Sequence, residues 1–189
     1  MRLAALFLVV TSVLLFAGSA NAQPRTDPSL GITVGAGFSF PDDDSEVSGS
    51  GLYATVEYVR FVTRWIGLRP YAGLLITTPD DDDERCAQVG RQCEVTANIG
   101  FLGAKARLAL PIPYVAPFLE IGFGASVGSL RTLTPDTDDE VNGVTSHVVL
   151  NIGMAIGRHH EVEISLPTTI HSAAQQFEGA IAFGFNLAL

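Results

Sequence analysis

The sequence has few cysteines, few cations and a single long apolar run. Its 189 residues contain two cysteines and one tryptophan, and 11 lysines and arginines stand against 20 aspartates and glutamates, a formal net charge of −9. This excess of acid argues against a nucleic-acid partner, because the phosphates would be repelled. The two cysteines are spaced Cys-x6-Cys, which is not a zinc spacing. We therefore expect no nucleic acid and no cofactor.

The long apolar run lies at the N-terminus. A short positive segment, Met1-Arg2, precedes apolar residues 3–17, and residues 19–22 (SANA) supply the small-x-small pattern of a signal-peptidase site. We interpret residues 1–22 as a signal peptide cleaved after Ala22. A membrane-anchoring helix is disfavoured, because the run is short for a full span. Residues 23–30 would then form a short periplasmic segment, and residues 31–189 the folded domain.

The remainder of the chain has no second apolar stretch of helix-spanning length, although its mean hydropathy is +0.31 with the leader included. An exported, apolar chain without a spanning helix can still cross a membrane as a β-barrel. The barrel must close, because lipid cannot hydrogen-bond a free sheet edge. An oxidising compartment also predicts a disulfide between Cys86 and Cys93.

Hydrophobic residues alternate with small or polar ones through this part of the chain, which is the period of a β-strand. In the first run, Ile32 and Val34 oppose Thr33 and Gly35. We predict eight strands, at residues 31–40, 52–61, 66–76, 95–108, 115–128, 144–156, 161–166 and 177–189. The fourth is the least regular, since its phase shifts before Phe101, and a β-bulge would explain the shift.

The two faces of these strands differ in a way that indicates the kind of barrel. One face is aliphatic and aromatic, and the other consists of glycine, small polar and ionisable residues. We therefore predict an all-β fold: an eight-stranded antiparallel up-and-down transmembrane β-barrel with a polar interior and a lipid-facing apolar exterior. Long connections (41–51, 78–94, 129–143, 167–176) alternate with short ones. This asymmetry predicts a bacterial outer-membrane protein with both termini in the periplasm.

The acidic residues concentrate in the long connections. The simplest interpretation is a solvated loop surface. The alternative is a set of cation-binding loops in which calcium or magnesium bridges carboxylates to neighbouring lipopolysaccharide phosphates. The aspartates concerned are Asp42, Asp43, Asp44, Asp80, Asp81, Asp82, Asp83, Asp136, Asp138 and Asp139.

Of the ionisable residues on the predicted inner face, five are candidates for an ionic network inside the bore. Counting outwards from the short turns places Glu57 across from Arg69, and Lys105 near Glu120, with Arg107 beside them. We interpret the five as an interior plug that neutralises buried charge. The alternative is a gate whose pairs exchange to let small ions pass, which would make the protein a narrow ion or small-solute channel.

Three sets of residues are candidates for a catalytic site: Ser146-His147, His171-Ser172 and Glu178. A hydrolytic site needs its serine, histidine and carboxylate to converge. Ser146 and His147 are predicted to point in opposite directions, and His171 and Ser172 to lie in a loop. The sequence therefore predicts a non-enzymatic protein, with a lipid A-modifying barrel enzyme as the less favoured alternative.

Segments at 69–73 (RPYAG), 118–124 (FLEIGFG) and 183–189 (FGFNLAL) carry a family resemblance. Together with the leader and eight strands, they resemble the small outer-membrane barrels of the OmpA, OmpX, OmpW and opacity-protein type. The resemblance implies a monomer that contacts outer-membrane lipid and lipopolysaccharide and is inserted by the barrel-insertion machinery. Members usually end on an aromatic residue, from which Leu189 departs. It also implies an envelope-structural or surface-interaction role for the acidic loops.

Overall fold

The structure is a computed structural model, and it describes residues 28–42, 47–80, 93–110, 112–135, 137–171 and 173–189. No helix in these ranges is long and apolar enough to cross a membrane. The described residues form eight strands: β1 (Ser29–Pro41), β2 (Gly49–Phe61), β3 (Ile66–Pro79), β4 (Glu94–Ala109), β5 (Val115–Leu133), β6 (Asp138–Ile156), β7 (Val162–His171) and β8 (Gln176–Ala188).

Each strand pairs antiparallel with the next, and β1 pairs with β8, so that the sheet closes into a barrel. Closure gives the spanning part of every strand two neighbours, which satisfies its backbone groups without water. The strands alternate between inward and outward side chains, and outward residues such as Leu102 (61% exposed) and Ile121 (58%) form an apolar exterior. The prediction of an eight-stranded antiparallel transmembrane barrel is confirmed.

The two ends of the barrel differ in their connections. The end at which β1 begins and β8 ends also carries the short connections from β2 to β3, from β4 to β5 and from β6 to β7, and it is called the turn end below. The opposite end is called the loop end. It carries the connections from β1 to β2, from β3 to β4, from β5 to β6 and from β7 to β8.

Strand β4 contains no bulge, so the predicted phase shift before Phe101 is wrong. Its register with β5 is continuous from Glu94↔Leu133 to Ala109↔Phe118. Val95, Ala97, Ile99 and Phe101 are buried in the bore, on the same face as Lys105 and Arg107. The pattern misled because apolar residues line the loop-end half of the bore while Thr96, Asn98 and Gly100 lie on the outer face, so that the polarity of the two faces of β4 is reversed there.

Two predicted loops are largely strand. Residues 129–143 do not form a long loop, because β5 and β6 stay paired out to Leu133↔Asp138. Similarly, β7 extends to His171 rather than ending near Leu166, and it pairs there with Gln176 of β8. Polar and acidic composition suggested loops at both places. Paired strands that extend beyond the membrane, however, do not need apolar side chains on their outer face.

The hairpin of residues 128–143, called the lid hairpin below, closes over the loop end. Its base is the pair Gly128↔Gly143, with φ angles of 146° and 109° that favour glycine. Beyond this pair, Leu130 and Thr132 are buried. Thr132 Oγ1 donates to the carbonyl of Ala174 in the β7–β8 turn over 3.0 Å. The lid hairpin therefore packs onto the neighbouring turn.

Replacing Gly143 by alanine tests the backbone at the base of the lid hairpin without adding a clash, since no atom lies within 4 Å of the added Cβ. We expect a loss of about 1–3 kcal/mol, the cost of a strained φ, measured by urea unfolding in detergent micelles. The control is Ser146→Ala on the same strand, with an outward, exposed side chain and an expected change within about 0.5 kcal/mol. Equal losses in the two variants would contradict the assignment.

Candidate functional site

The structure brings the five predicted inner-face charges together in the turn-end half of the bore. Arg69 is 1% exposed and Glu120 is fully buried, and the other three are also buried. A sixth charged residue, Glu163 on β7, completes the group, called the ionic layer below. Glu163 alternates in the sequence with the apolar residues Val162 and Ile164, which predicts that it lies on the inner face of its strand. Its partners on β3 and β4, however, follow only from the closure of the barrel.

Arg69 and Glu120 are the centre of the ionic layer. The Arg69 guanidinium contacts all three carboxylates, Glu57 at 2.6 Å and Glu120 and Glu163 at 2.9 Å each. Glu120 in turn contacts all three cations, at 2.6 Å from Arg107 Nε and 3.1 Å from Lys105 Nζ. No charge in the layer depends on a single partner.

The outer pairs of the layer have the geometry of strong hydrogen bonds. Arg107 donates from Nη1 and Nη2 to the two oxygens of Glu163, at 2.6 and 2.8 Å, which is a bidentate arrangement. Lys105 Nζ donates to Glu57 over 2.8 Å. Neutral amides satisfy further carboxylate lone pairs: Asn151 donates to Glu120, and Asn186 donates to Glu163, each over 2.7 Å.

The ionic layer is balanced, with three carboxylates and three cations. An unpaired ion in a medium of low dielectric constant costs several kcal/mol, and mutual neutralisation within hydrogen-bond distance offsets that cost. Removing one partner would leave a net buried charge. Such a layer therefore demands that all six residues be present together.

Aromatic side chains flank the ionic layer on both sides. Toward the turn end, the Arg107 guanidinium lies 3.6 Å from the centre of the Phe118 ring, and toward the loop end, Lys105 Nζ lies 5.2 Å from that of Tyr71. Phe101 lies between Tyr53 and Tyr71, with ring centres 5.8 and 6.1 Å away. These rings and the ionic layer fill the bore across its width.

A second polar group lies above the aromatic rings, nearer the loop end. Its centre is Ser126, whose Oγ lies 2.8 Å from His147 Nδ1 and 2.8 Å from His171 Nε2. His171 Nδ1 lies 2.5 Å from a carboxylate oxygen of Glu178, and Tyr71 Oη lies 2.6 Å from His147 Nε2. We call these five side chains the histidine chain.

The histidine chain revises the predictions about catalytic candidates. His147 points inward and Ser146 outward, as predicted. His171 does not lie in a loop but ends β7, where it is buried against Glu178, and Ser172 lies outside the described residues. Ser126 was missed, because nothing in its local sequence marks a serine that meets two histidines from other strands.

Ser126, His171 and Glu178 have the distances of a nucleophile, base and orienting carboxylate. However, Ser126 is 1% exposed, and its Oγ is shared with His147. A substrate carbonyl would need to displace His147 to reach it. A Cβ on Gly124 would lie 2.7 Å from His147 Nε2, so the strand wall also closes directly against this ring.

The structure describes four of the ten candidate cation-binding aspartates. Asp42 and Asp80 lie next to the ends of β1 and β3, and Asp80 accepts hydrogen bonds from Ser48 and Ser50. Asp138 and Asp139 begin β6 rather than lying in a loop. Among the described residues, no group of three or more histidines, cysteines or acids is arranged to hold a metal ion. The other six lie outside the described residues: Asp43, Asp44, Asp81, Asp82, Asp83 and Asp136.

Only one of the two cysteines of the predicted disulfide lies within the described ranges. Cys93 is buried beside Val47 and Val95 at the loop end, and Cys86 lies outside the described residues. The predicted signal peptide, residues 1–22, also lies outside them, so the cleavage site and the disulfide remain predictions.

The turn end carries cations on its exposed side. Arg64 lies 5.6 Å from the centre of the Trp65 ring, and Arg60 and Arg158 are exposed. Hydrogen bonds from its own backbone N–H and from His159 hold the pKa of the Glu161 carboxyl below its usual range. The loop end carries mostly carboxylates, so the two ends of the barrel differ in charge.

No protein-family model matches the chain, and no curated protein does. Among solved structures, Neisserial surface protein A is 9% identical with a TM-score of 0.58, and the match covers 86% of this chain and 97% of that one. The Ail protein of Yersinia pestis is 10% identical with a TM-score of 0.48 (86% and 99% covered). The N-terminal barrel of Pseudomonas aeruginosa OprF is 13% identical with a TM-score of 0.42 (83% and 97% covered). The first likeness shows that the fold is that of a small outer-membrane barrel.

Replacing Arg69 by methionine would leave three buried carboxylates against two cations. We expect this variant to lose about 3–5 kcal/mol of unfolding free energy, because it creates an uncompensated buried charge. The measurement is urea unfolding in micelles of fixed composition.

Arg131→Met is the matched control, because Arg131 also contacts two carboxylates, Glu94 and Glu140, but at the exposed lid hairpin. Its expected loss is under about 1 kcal/mol. Similar losses in the two variants would mean that the ionic layer does not hold the bore together.

Proposed function

We propose that this protein is a non-enzymatic outer-membrane barrel that is closed to solutes and displays an acidic surface outside the cell. The loop end faces outwards and both termini face the periplasm. Its role is structural, in the envelope, or an interaction at the cell surface. The single observation that carries the proposal is the packed turn-end half of the bore, in which the balanced ionic layer lies buried between the Phe118 and Tyr71 rings.

A channel is the alternative that this packing disfavours. A small solute would have to displace Arg69 from three carboxylates at once, and each of these carboxylates would then lack part of its neutralising charge. Likewise, enzymatic activity is disfavoured by the enclosure of Ser126 beneath His147. A filled bore leaves the outer surface and the loop end as the parts available to partners.

The loop end supplies the surface chemistry. Its described charges are one cation, Arg131, and a set of carboxylates that lie at strand ends or on the lid hairpin: Asp42, Asp80, Glu94, Asp138, Asp139 and Glu140. Carboxylate oxygens suit calcium and magnesium. A divalent cation could therefore bridge this surface to the phosphates of lipopolysaccharide. The name of Neisserial surface protein A is in keeping with a role at the cell surface.

Planar-bilayer recording tests the closed bore. We expect the refolded barrel to give no discrete conductance steps, because ions cannot pass the ionic layer without breaking it. Steps that appear with the native protein and disappear in Glu57→Ala would contradict the proposal and favour a channel.

Calcium-dependent binding to lipopolysaccharide tests the acidic surface. Neutralising Asp42, Asp80, Asp138 and Asp139 to asparagine should weaken the binding of refolded barrel to lipopolysaccharide-containing vesicles in calcium by about tenfold, and have little effect in chelator. Glu161→Gln, which removes one carboxylate at the turn end, is the control and should bind as the native protein does. Unchanged binding in the fourfold variant would remove the cation bridge.

A further inference from the structure

The histidine chain crosses the loop-end half of the bore and takes no part in the proposed surface role. Its members come from five strands, with Tyr71 on β3, Ser126 on β5, His147 on β6, His171 on β7 and Glu178 on β8. The four contacts between successive members are 2.5–2.8 Å long. All five residues are buried.

The hydrogen bonds of the chain can be assigned a single direction. The Glu178 carboxylate only accepts, so His171 donates to it from Nδ1 and accepts from the Ser126 hydroxyl at Nε2. Ser126 Oγ then accepts from His147 Nδ1–H. His147 Nε2 in turn accepts from the Tyr71 hydroxyl. With both imidazoles neutral and protonated on Nδ1, every donor in the chain has an acceptor.

Protonating both histidines breaks this order. Ser126 Oγ would then face an N–H donor from each ring, and its own hydroxyl hydrogen would lose the acceptor His171 Nε2. Tyr71 Oη would face the N–H of His147 Nε2, so the Tyr71 hydroxyl hydrogen would lose its acceptor as well. The two rings would also both be cationic, with centres 5.4 Å apart. Like charges this close repel strongly where water is excluded.

The surroundings offer little compensation for the second charge. The titratable and charged groups that line the bore near the rings are Tyr53 and Glu57 on β2, Tyr71 on β3, Lys105 on β4, Glu120 on β5, Glu163 on β7 and Glu178 on β8. Glu57, Glu120 and Glu163 are engaged with the three cations of the ionic layer. Among the described residues, only the Glu178 carboxylate contacts a buried histidine, and His147 packs edge-on against Phe101 at 6.2 Å.

The chain is also connected to the lid hairpin. The second oxygen of Glu178 accepts a hydrogen bond from Gln176 Nε2 over 2.8 Å. The single hydroxyl hydrogen of Thr132 on the lid hairpin is shared between two acceptors, Gln176 Oε1 at 2.9 Å and the Ala174 carbonyl at 3.0 Å. A rearrangement at the histidines can thus be transmitted to the lid hairpin through three side chains.

We propose that the histidine chain is a proton-sensitive latch, which holds the lid hairpin at neutral pH and releases it when both histidines are protonated. We expect the turn-end half of the bore not to respond to protonation of the histidines, since its ionic layer contains no histidine and its charges balance. The latch holds while both rings are neutral, and it loosens when both of them bind a proton.

Hydrogen–deuterium exchange of the refolded barrel in micelles tests the latch, with rates corrected for the intrinsic effect of pH. Between about pH 7.5 and about pH 3.5, protection of amides 128–147 should fall by about tenfold, while that of amides 149–156 at the turn end should change much less. The His147→Gln, His171→Gln double variant should lose this pH response. His159→Gln, at an exposed turn, should keep it. Equal protection at both pH values, or an equal fall in both halves, would overturn the proposal.

A second measurement does not depend on whether the double variant folds. Nitrogen-15 NMR of the imidazoles in the native protein distinguishes the two neutral tautomers of histidine. At neutral pH, both His147 and His171 should carry their proton on Nδ1. A proton on Nε2 of either ring would mean that the directed chain does not form, and would overturn the latch.

Discussion

An eight-stranded barrel encloses a bore that has room only for side chains, and everything placed there is cut off from water. Polar groups in the bore must therefore find their partners among themselves. Here the requirement is met by charge balance, with three carboxylates and three cations within 2.6–3.1 Å of one another. The rest of the interior depends on this balance, because a single uncompensated charge would draw water into the layer.

The bore divides into two halves with different chemistry. The turn-end half is fixed by ions whose charges cancel, and the ionic layer there contains no histidine. The loop-end half combines aromatic rings with two buried histidines that both contact Ser126. This division follows from the strands themselves: on β5, Glu120 lies in the ionic layer, Ser126 in the histidine chain and Thr132 on the lid hairpin.

The sequence predicts the strands and their faces, because the alternation of apolar and polar side chains can be recognised within each strand. Each strand has one face toward lipid and one toward the bore. It does not predict how β7 meets β3 and β4, so Glu163 could not be joined to Arg69 and Arg107 in advance. Apolar residues inside the bore, such as Val95 and Ile99, imitate a change of phase. Nor does acidity distinguish a loop from a projecting hairpin, as Asp138 and Glu140 on β6 show. The first two failures share one cause, since both depend on contacts distant in sequence, whereas the lid hairpin pairs residues that are close in sequence, such as Leu133 with Asp138.

The most direct test of the account is a double-mutant cycle on the bidentate pair Arg107 and Glu163, with Arg107→Met, Glu163→Gln and both together, measured as unfolding free energies in micelles. If balance holds the bore, the double variant should be less destabilised than the sum of the two single variants, because it restores neutrality, with a coupling above about 1 kcal/mol. Additivity within about 0.5 kcal/mol would contradict the account. The interior charges would then be independent contacts, and the filled bore would depend on packing alone.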